Sequence, residues 1–167
     1  MEQQIARMQK HLAEVPDMFR DRGEEETARR PAPGKWSAKE ILGHLCDSAI
    51  NNLARFVRAQ TEQPYALIPY QQDEWVKAQA YQARPAFEIV QLWSSLNRSV
   101  VAVMAAMPPA ACEHACILAD GTTVSLRWLM EDYVAHMEHH LGQLSGSLAR
   151  ARRLTSIPFG DALRAQK

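Results

Sequence analysis

The chain has 167 residues, enough to bury a sizeable core, and its 47% hydrophobic and 23% charged residues are ordinary for a globular protein. Lys plus Arg and Asp plus Glu each total 19, so the net charge is zero, which argues against a nucleic-acid or membrane-surface partner. No apolar run reaches the length of a membrane span, the first fifteen residues lack the pattern of a secretory signal, and the cysteines Cys46, Cys112 and Cys116 follow no framework spacing, so the expectation is one cytoplasmic domain over residues 1–167.

Ile5, Met8, Leu12, Val15 and Phe19 recur at helical spacing, with Pro16 among them. Proline removes a helical hydrogen bond and clashes with the preceding turn, so a break or kink is expected near Val15. The run Arg29-Arg-Pro-Ala-Pro-Gly34 reads as a loop. Ser37 and Glu40 then form a capping box, predicting a helix to about Gln60. Its apolar stripe is Leu42, Leu45, Ala49, Leu53 and Phe56; beside it lies a second stripe of Ser37, Ile41, His44, Ser48, Asn51 and Arg55.

Residues 62–84 hold Tyr65, Tyr70, Trp75 and Tyr81 around a short helical piece from Gln71 to Gln79. So long and aromatic a connection suits a pocket wall or a subunit contact. Pro85 opens the next helix, with a seam of Ile89, Leu92, Trp93, Leu96, Val100, Val103 and Met107, stopped by Pro108-Pro109. Residues 110–124 read as a loop with Asp120-Gly121 as its turn, and Ser125 as the cap of the last helix. Cys112-Glu-His114-Ala-Cys116 lacks the second Cys or His pair of a zinc ribbon and reads as loop residues. No strand alternation stands out. Four amphipathic helices predict an all-α four-helix bundle.

The last helix carries the chemistry. Met130, Val134, Met137, Leu141, Leu144 and Leu148 line its apolar stripe, while Leu129, Tyr133, His136, His140, Gln143 and Ser147 form a stripe beside it. His136 and His140 stand one turn apart, about 6 Å along the axis, close enough to share a metal about 2.0–2.1 Å from each nitrogen. Two histidines leave such a site incomplete, and His44, placed the same way beside its own helix's packing seam, is the natural third ligand. Zinc and nickel both suit imidazole. Around the trio, Asp47 is positioned to orient a ligand ring or to serve the helix interface. Gln143 is a candidate for contact with substrate or with a ligand. Tyr133 offers a hydroxyl to a bound oxyanion or simply packs, and Arg55 offers a guanidinium to a substrate carboxylate or an interhelix bond. His139 points to one side, while His11 and His114 read as structural or exposed. After Leu148 the basic run Arg150-Ala-Arg-Arg153 reads as a solvated helix end, followed by a tail of little pattern.

The segment Gly34-Lys-Trp-Ser37-Ala-Lys-Glu40-Ile-Leu-Gly-His44-Leu-Cys-Asp47-Ser48 and the later His136-Met-Glu-His139-His140-Leu-Gly-Gln143 resemble the DinB-like superfamily, most closely its YfiT-like branch. Ile68-Pro-Tyr70-Gln-Gln-Asp-Glu-Trp75 and Asp120-Gly-Thr-Thr-Val-Ser-Leu126 resemble that branch too, so the likeness covers about residues 5–150. The resemblance implies a four-helix bundle, often a homodimer, holding a divalent metal through the three histidines that match His44, His136 and His140. It also implies a metal-dependent hydrolase, or a transferase joining a low-molecular-weight thiol to a small electrophile. A fold of this kind hosts several chemistries, and a metal- or ligand-binding bundle without catalysis is the alternative.

Overall fold

A computed structural model describes residues 1–155, with side chains through Ala151. The helices are α1 (Glu2–Phe19), α2 (Glu24–Ala28), α3 (Ala38–Arg58), α4 (Gln72–Ala78), α5 (Ala86–Ala105) and α6 (Leu126–Thr155). Among the described residues the four long ones, α1, α3, α5 and α6, make a bundle in which α3 packs on α5 and α6, and α1 on the same two. The basic segment ending at Arg153 and the tail after it extend beyond the described side chains.

Each long helix turns the seam its spacing requires toward the core, with Ile5, Leu12, Leu53, Leu92, Leu96 and Val103 partly buried at its edge. In α3, Leu42, Leu45, Ala49 and Phe56 are buried; in α6, Met130, Val134, Met137, Leu141, Leu144 and Leu148 are. In α5, Ile89, Trp93 and Val100 are buried as expected, joined by Asn97 and Met104. Asn97 is tolerable in the core because its amide donates to the Trp93 carbonyl at 2.9 Å and its oxygen accepts from the Tyr133 hydroxyl at 2.6 Å.

The expected break near Val15 and the expectation of a chain without strands are corrected. Helix α1 runs unbroken through Pro16. Only the last turn follows the proline, so one carbonyl, that of Leu12, loses its helical donor, while buried Val15 and Phe19 anchor that turn in the core. The chain also holds a small sheet: β1 (Tyr65–Ala66) lies parallel to β2 (Ala115–Ile117), which lies antiparallel to β3 (Thr123–Ser125). Strands of two and three residues are too short to show alternation in a sequence.

That sheet sets up the site. Gly121 turns the β2–β3 hairpin with φ at +86°, where a side chain would be strained, and Asp120 Oδ1 accepts from the Thr122 amide at 2.9 Å. β3 runs straight into α6, whose Trp128 amide is capped by Ser125 Oγ at 3.1 Å. β1 draws the following loop, with Leu67 and Tyr70, toward α6 and its cavity. At the other end of the bundle the Ser37–Glu40 capping box forms as expected and starts α3 two turns before His44. Glu40 also accepts from Arg30 Nε at 2.9 Å.

Candidate metal centre

His44, His136 and His140 come together in the bundle interior, with one candidate ligand atom from each within 4.8 Å of the others. His44 is 1% exposed, and the other two are half-buried. His44 Nε2 and His136 Nε2 face each other at 3.4 Å. That is long for a hydrogen bond, but two nitrogens about 2.0–2.1 Å from one tetrahedral ion stand roughly 3.3–3.4 Å apart. The His140 ring centroid is 4.6 Å from each of the other two.

Electrostatics keep these rings neutral, the form a metal needs. Burial, then the neighbouring His140 and His136, pushes His44 down to about 3. Burial, then His140 and His139, pushes His136 down to about 4, and His140 is also lowered, chiefly by burial. Trp36 covers His44, the two ring centroids lying 5.1 Å apart. His44 Nδ1 is buried without a hydrogen-bond partner among the described residues. Three neutral imidazoles, two of them presenting Nε2 to one point, fit a borderline-soft divalent ion such as zinc or nickel.

Gln143 lies where the sequence suggested, one turn past His140. Its Oε1 is 3.0 Å from His140 Nδ1, and its Nε2 is 2.9 Å from His139 Nε2. An amide oxygen can only accept, so His140 carries its proton on Nδ1 and leaves Nε2 free for a metal. His139 is exposed; it meets the centre through Gln143 and through an edge-on ring contact with His140, centroids 5.2 Å apart.

Asp47 is fully buried, but its Oδ1 accepts from the Tyr81 hydroxyl at 2.7 Å and from Gln79 Nε2 at 3.4 Å, and its Oδ2 has no partner among the described residues. Burial raises the Asp47 carboxyl to about 6. Tyr81 reaches it by lying across Gly43, where a Cβ would come within 2.2 Å of the ring. Tyr133 is buried, and its hydroxyl donates to Asn97 Oδ1. His11 Nε2 sits 3.1 Å from Glu138 Oε1, and His114 Nδ1 lies 3.0 Å from the Ala59 carbonyl. Glu138, between His136 and His140 in sequence, is thereby occupied; Arg7, then His11, holds its carboxyl down to about 2. Cys112 and Cys116 are buried free thiols.

Two cavities flank the trio. One, about 780 Å³, is lined by His140, Gln143, His139, Trp36, Lys35 and Arg150 among others. The second, about 270 Å³, is lined by His136, Arg55, Ser48, Tyr70, Asp132 and Trp128 among others. Along α3 the first touches Ile41 and the second Ser48, with His44 between. Asp132 was not singled out from the sequence, although it precedes His136 by one turn. Asp132 is exposed, and partial desolvation at the cavity wall raises its carboxyl.

The family model of the DinB superfamily matches residues 1–144. The chain belongs to the DinB superfamily. A relative from Bacillus pumilus is 30% identical over 147 residues, covering 83% of this chain and 82% of its own. Another, from Halalkalibacterium halodurans, is 24% identical over 117 residues, covering 70% and 68%. Both carry names that mark them as candidate metal-dependent hydrolases. YfiT from Bacillus subtilis, a solved structure described as a candidate metal-dependent hydrolase with an unusual four-helix bundle topology, superimposes with a TM-score of 0.80 at 19% identity, over 92% of this chain and 87% of that one. A mycothiol-dependent maleylpyruvate isomerase shares the fold at a TM-score of 0.66 and 14% identity, over 90% of this chain and 66% of its own. Among the described residues no helix is long and apolar enough to cross a membrane.

Proposed function

We propose that this DinB-superfamily protein is a divalent-metal-dependent enzyme whose ion is held by His44, His136 and His140, and that it hydrolyses a small molecule. The observation that carries this reading is the convergence of three neutral imidazoles, from two helices, on a point open to two cavities. Among the described residues no carboxylate or thiol joins the cluster as a fourth ligand, and that supports catalysis over a closed structural site. The names of the relatives point the same way. A divalent ion in this setting supplies Lewis acidity and brings the pKa of water, or of a thiol, toward neutrality.

The chain's own groups supply the rest. Gln143 fixes the His140 tautomer, and Trp36 shields His44 from solvent. Asp132, in the cavity shared with His136, is the proton acceptor for the incoming nucleophile, and its raised pKa suits that task. Arg55 and Tyr70 line the same cavity and face the substrate.

Transfer of a small thiol is the second reading. The two cavities support it, because a thiol and an electrophile could each approach the trio from its own side. A panel of esters, amides and activated electrophiles, assayed on zinc- and nickel-loaded protein with and without small cellular thiols, separates the two. Turnover without thiol supports hydrolysis; turnover only with thiol supports transfer. No turnover of any panel member by fully loaded protein counts against catalysis.

A further inference from the structure

Arg55 stands apart from the other arginines with shifted pKa values. Arg7, Arg30, Arg58 and Arg127 are each raised by a glutamate partner, namely Glu138, Glu40, Glu62 and Glu113. Arg55 is lowered, chiefly by burial. Among the described residues its guanidinium donates only to neutral oxygens, Asn52 Oδ1 at 3.3 Å and the Ile68 carbonyl at 3.0 Å. Among the described residues no carboxylate lies within ion-pair distance of it. Asp132 lines the same cavity without forming such a pair.

A half-buried cation without a counter-ion is costly, and it is retained more readily where a ligand brings the missing charge. We propose that the cavity of about 270 Å³ beside His136 is a carboxylate-binding subsite, in which Arg55 anchors the carboxylate of a small organic acid whose reacting group reaches the histidine trio. A guanidinium with N–H groups to spare pairs with a carboxylate through two parallel hydrogen bonds. A phosphate dianion is a poorer match: among the described residues Arg55 is the one Lys or Arg lining this cavity, and the Asp132 carboxylate shares it. Tyr70, Trp128 and Leu129 give the walls aromatic and aliphatic surface, so the body of the acid is apolar or aromatic.

Placing the reacting group at the trio rests on the function proposed above; the subsite does not. The test therefore uses metal-free protein, in which a carboxylate cannot bind through the ion. Benzoate and its uncharged isostere benzamide are titrated into the chelator-treated protein by calorimetry, alongside Arg55→Gln and Arg55→Lys. The expected result is saturable benzoate binding, at least about tenfold tighter than benzamide. That preference disappears in Arg55→Gln and persists in part in Arg55→Lys, which keeps the charge but not the fork. Equal binding of the two probes to the unaltered protein, absence of saturable benzoate binding, or a preference that survives in Arg55→Gln each overturns the proposal. The first comparison needs no variant, so misfolding of a variant cannot obscure it. Elemental analysis of the same protein before chelation reports on the metal separately, so either idea can fail alone.

Discussion

His44 Nε2 and His136 Nε2 stand 3.4 Å apart although 92 residues separate them in the chain. Bundle packing alone does not require two desolvated imidazoles to meet nitrogen to nitrogen, since neither satisfies the other well. The metal site proposed above gives the meeting a physical reason.

The Gln143 amide links that centre to the surface. Gln143→Ala removes the acceptor that holds the His140 proton on Nδ1, so metal affinity falls by about ten- to a hundredfold with the fold intact. Competition with a chromogenic chelator at pH 7 measures it. Unchanged affinity means that the amide does not set the tautomer.

The metal-free protein loses stability in mild acid. In the folded chain His44 and His136 titrate at about 3 and about 4, whereas an unfolded chain takes up these protons near 6.5. Below about pH 6.5 the unfolded state therefore binds more protons than the folded one. The stabilisation from neutral rings is complete above that pH and falls away on the acid side, at about 1.4 kcal/mol per pH unit for a ring as buried as His44. Asp47 works in the opposite sense: raised to about 6 by burial, it disfavours the fold when charged and relieves that cost as the pH falls toward 3.8. Urea unfolding between pH 7 and pH 4.5 should thus show a shallower decline for His44→Ala and a steeper one for Asp47→Asn. Parallel curves for all three proteins would contradict these assignments.

Gly43 is needed for space. In Gly43→Ala the new methyl falls 2.2 Å from a Tyr81 ring that is itself completely buried, so the ring or the helix must shift, at a cost of about 1–3 kcal/mol. Tyr81→Phe leaves the packing but takes the shorter of two donors from Asp47 Oδ1, leaving Gln79 Nε2 at 3.4 Å, at a cost of about 1–3 kcal/mol. Thermal unfolding checks both; a neutral Gly43→Ala would mean that this packing is loose.

The histidine trio was legible in the sequence because each member is local: His136 and His140 share one face of a helix, and His44 occupies the matching position beside another seam. The Ser37–Glu40 box and the Ser125 cap are local as well, and both form. Long-range pairings were not legible. Nothing near Asp47 announces Tyr81, and nothing near Glu138 announces Arg7 and His11. Pro16 misled because the cost of an interior proline shrinks when a single turn follows it and that turn is anchored by packing. Asp132 escaped notice because it lies off the centre of the histidine stripe, and its cavity is completed by the Tyr70 loop that the small sheet carries.

Leu141→Ala separates folding from metal binding. Its side chain is 7% exposed in the core seam next to His140, so truncation costs about 2–5 kcal/mol and lowers the thermal midpoint. Metal bound per folded molecule should not change. A normal midpoint, or an emptied site in folded protein, would show that seam and site are not separable.

Metal content of His140→Ala and His139→Ala, measured by elemental analysis beside the unaltered protein with circular dichroism confirming the fold, tests the central claim most directly. The account predicts about one divalent ion per unaltered chain. It predicts a nearly empty site in His140→Ala. His139→Ala, which removes a side chain that meets the centre through Gln143 and the edge of the His140 ring, should stay occupied with affinity reduced by no more than about tenfold. A full site in His140→Ala, or an empty one in His139→Ala, would contradict the assignment of His44, His136 and His140 as the ligands.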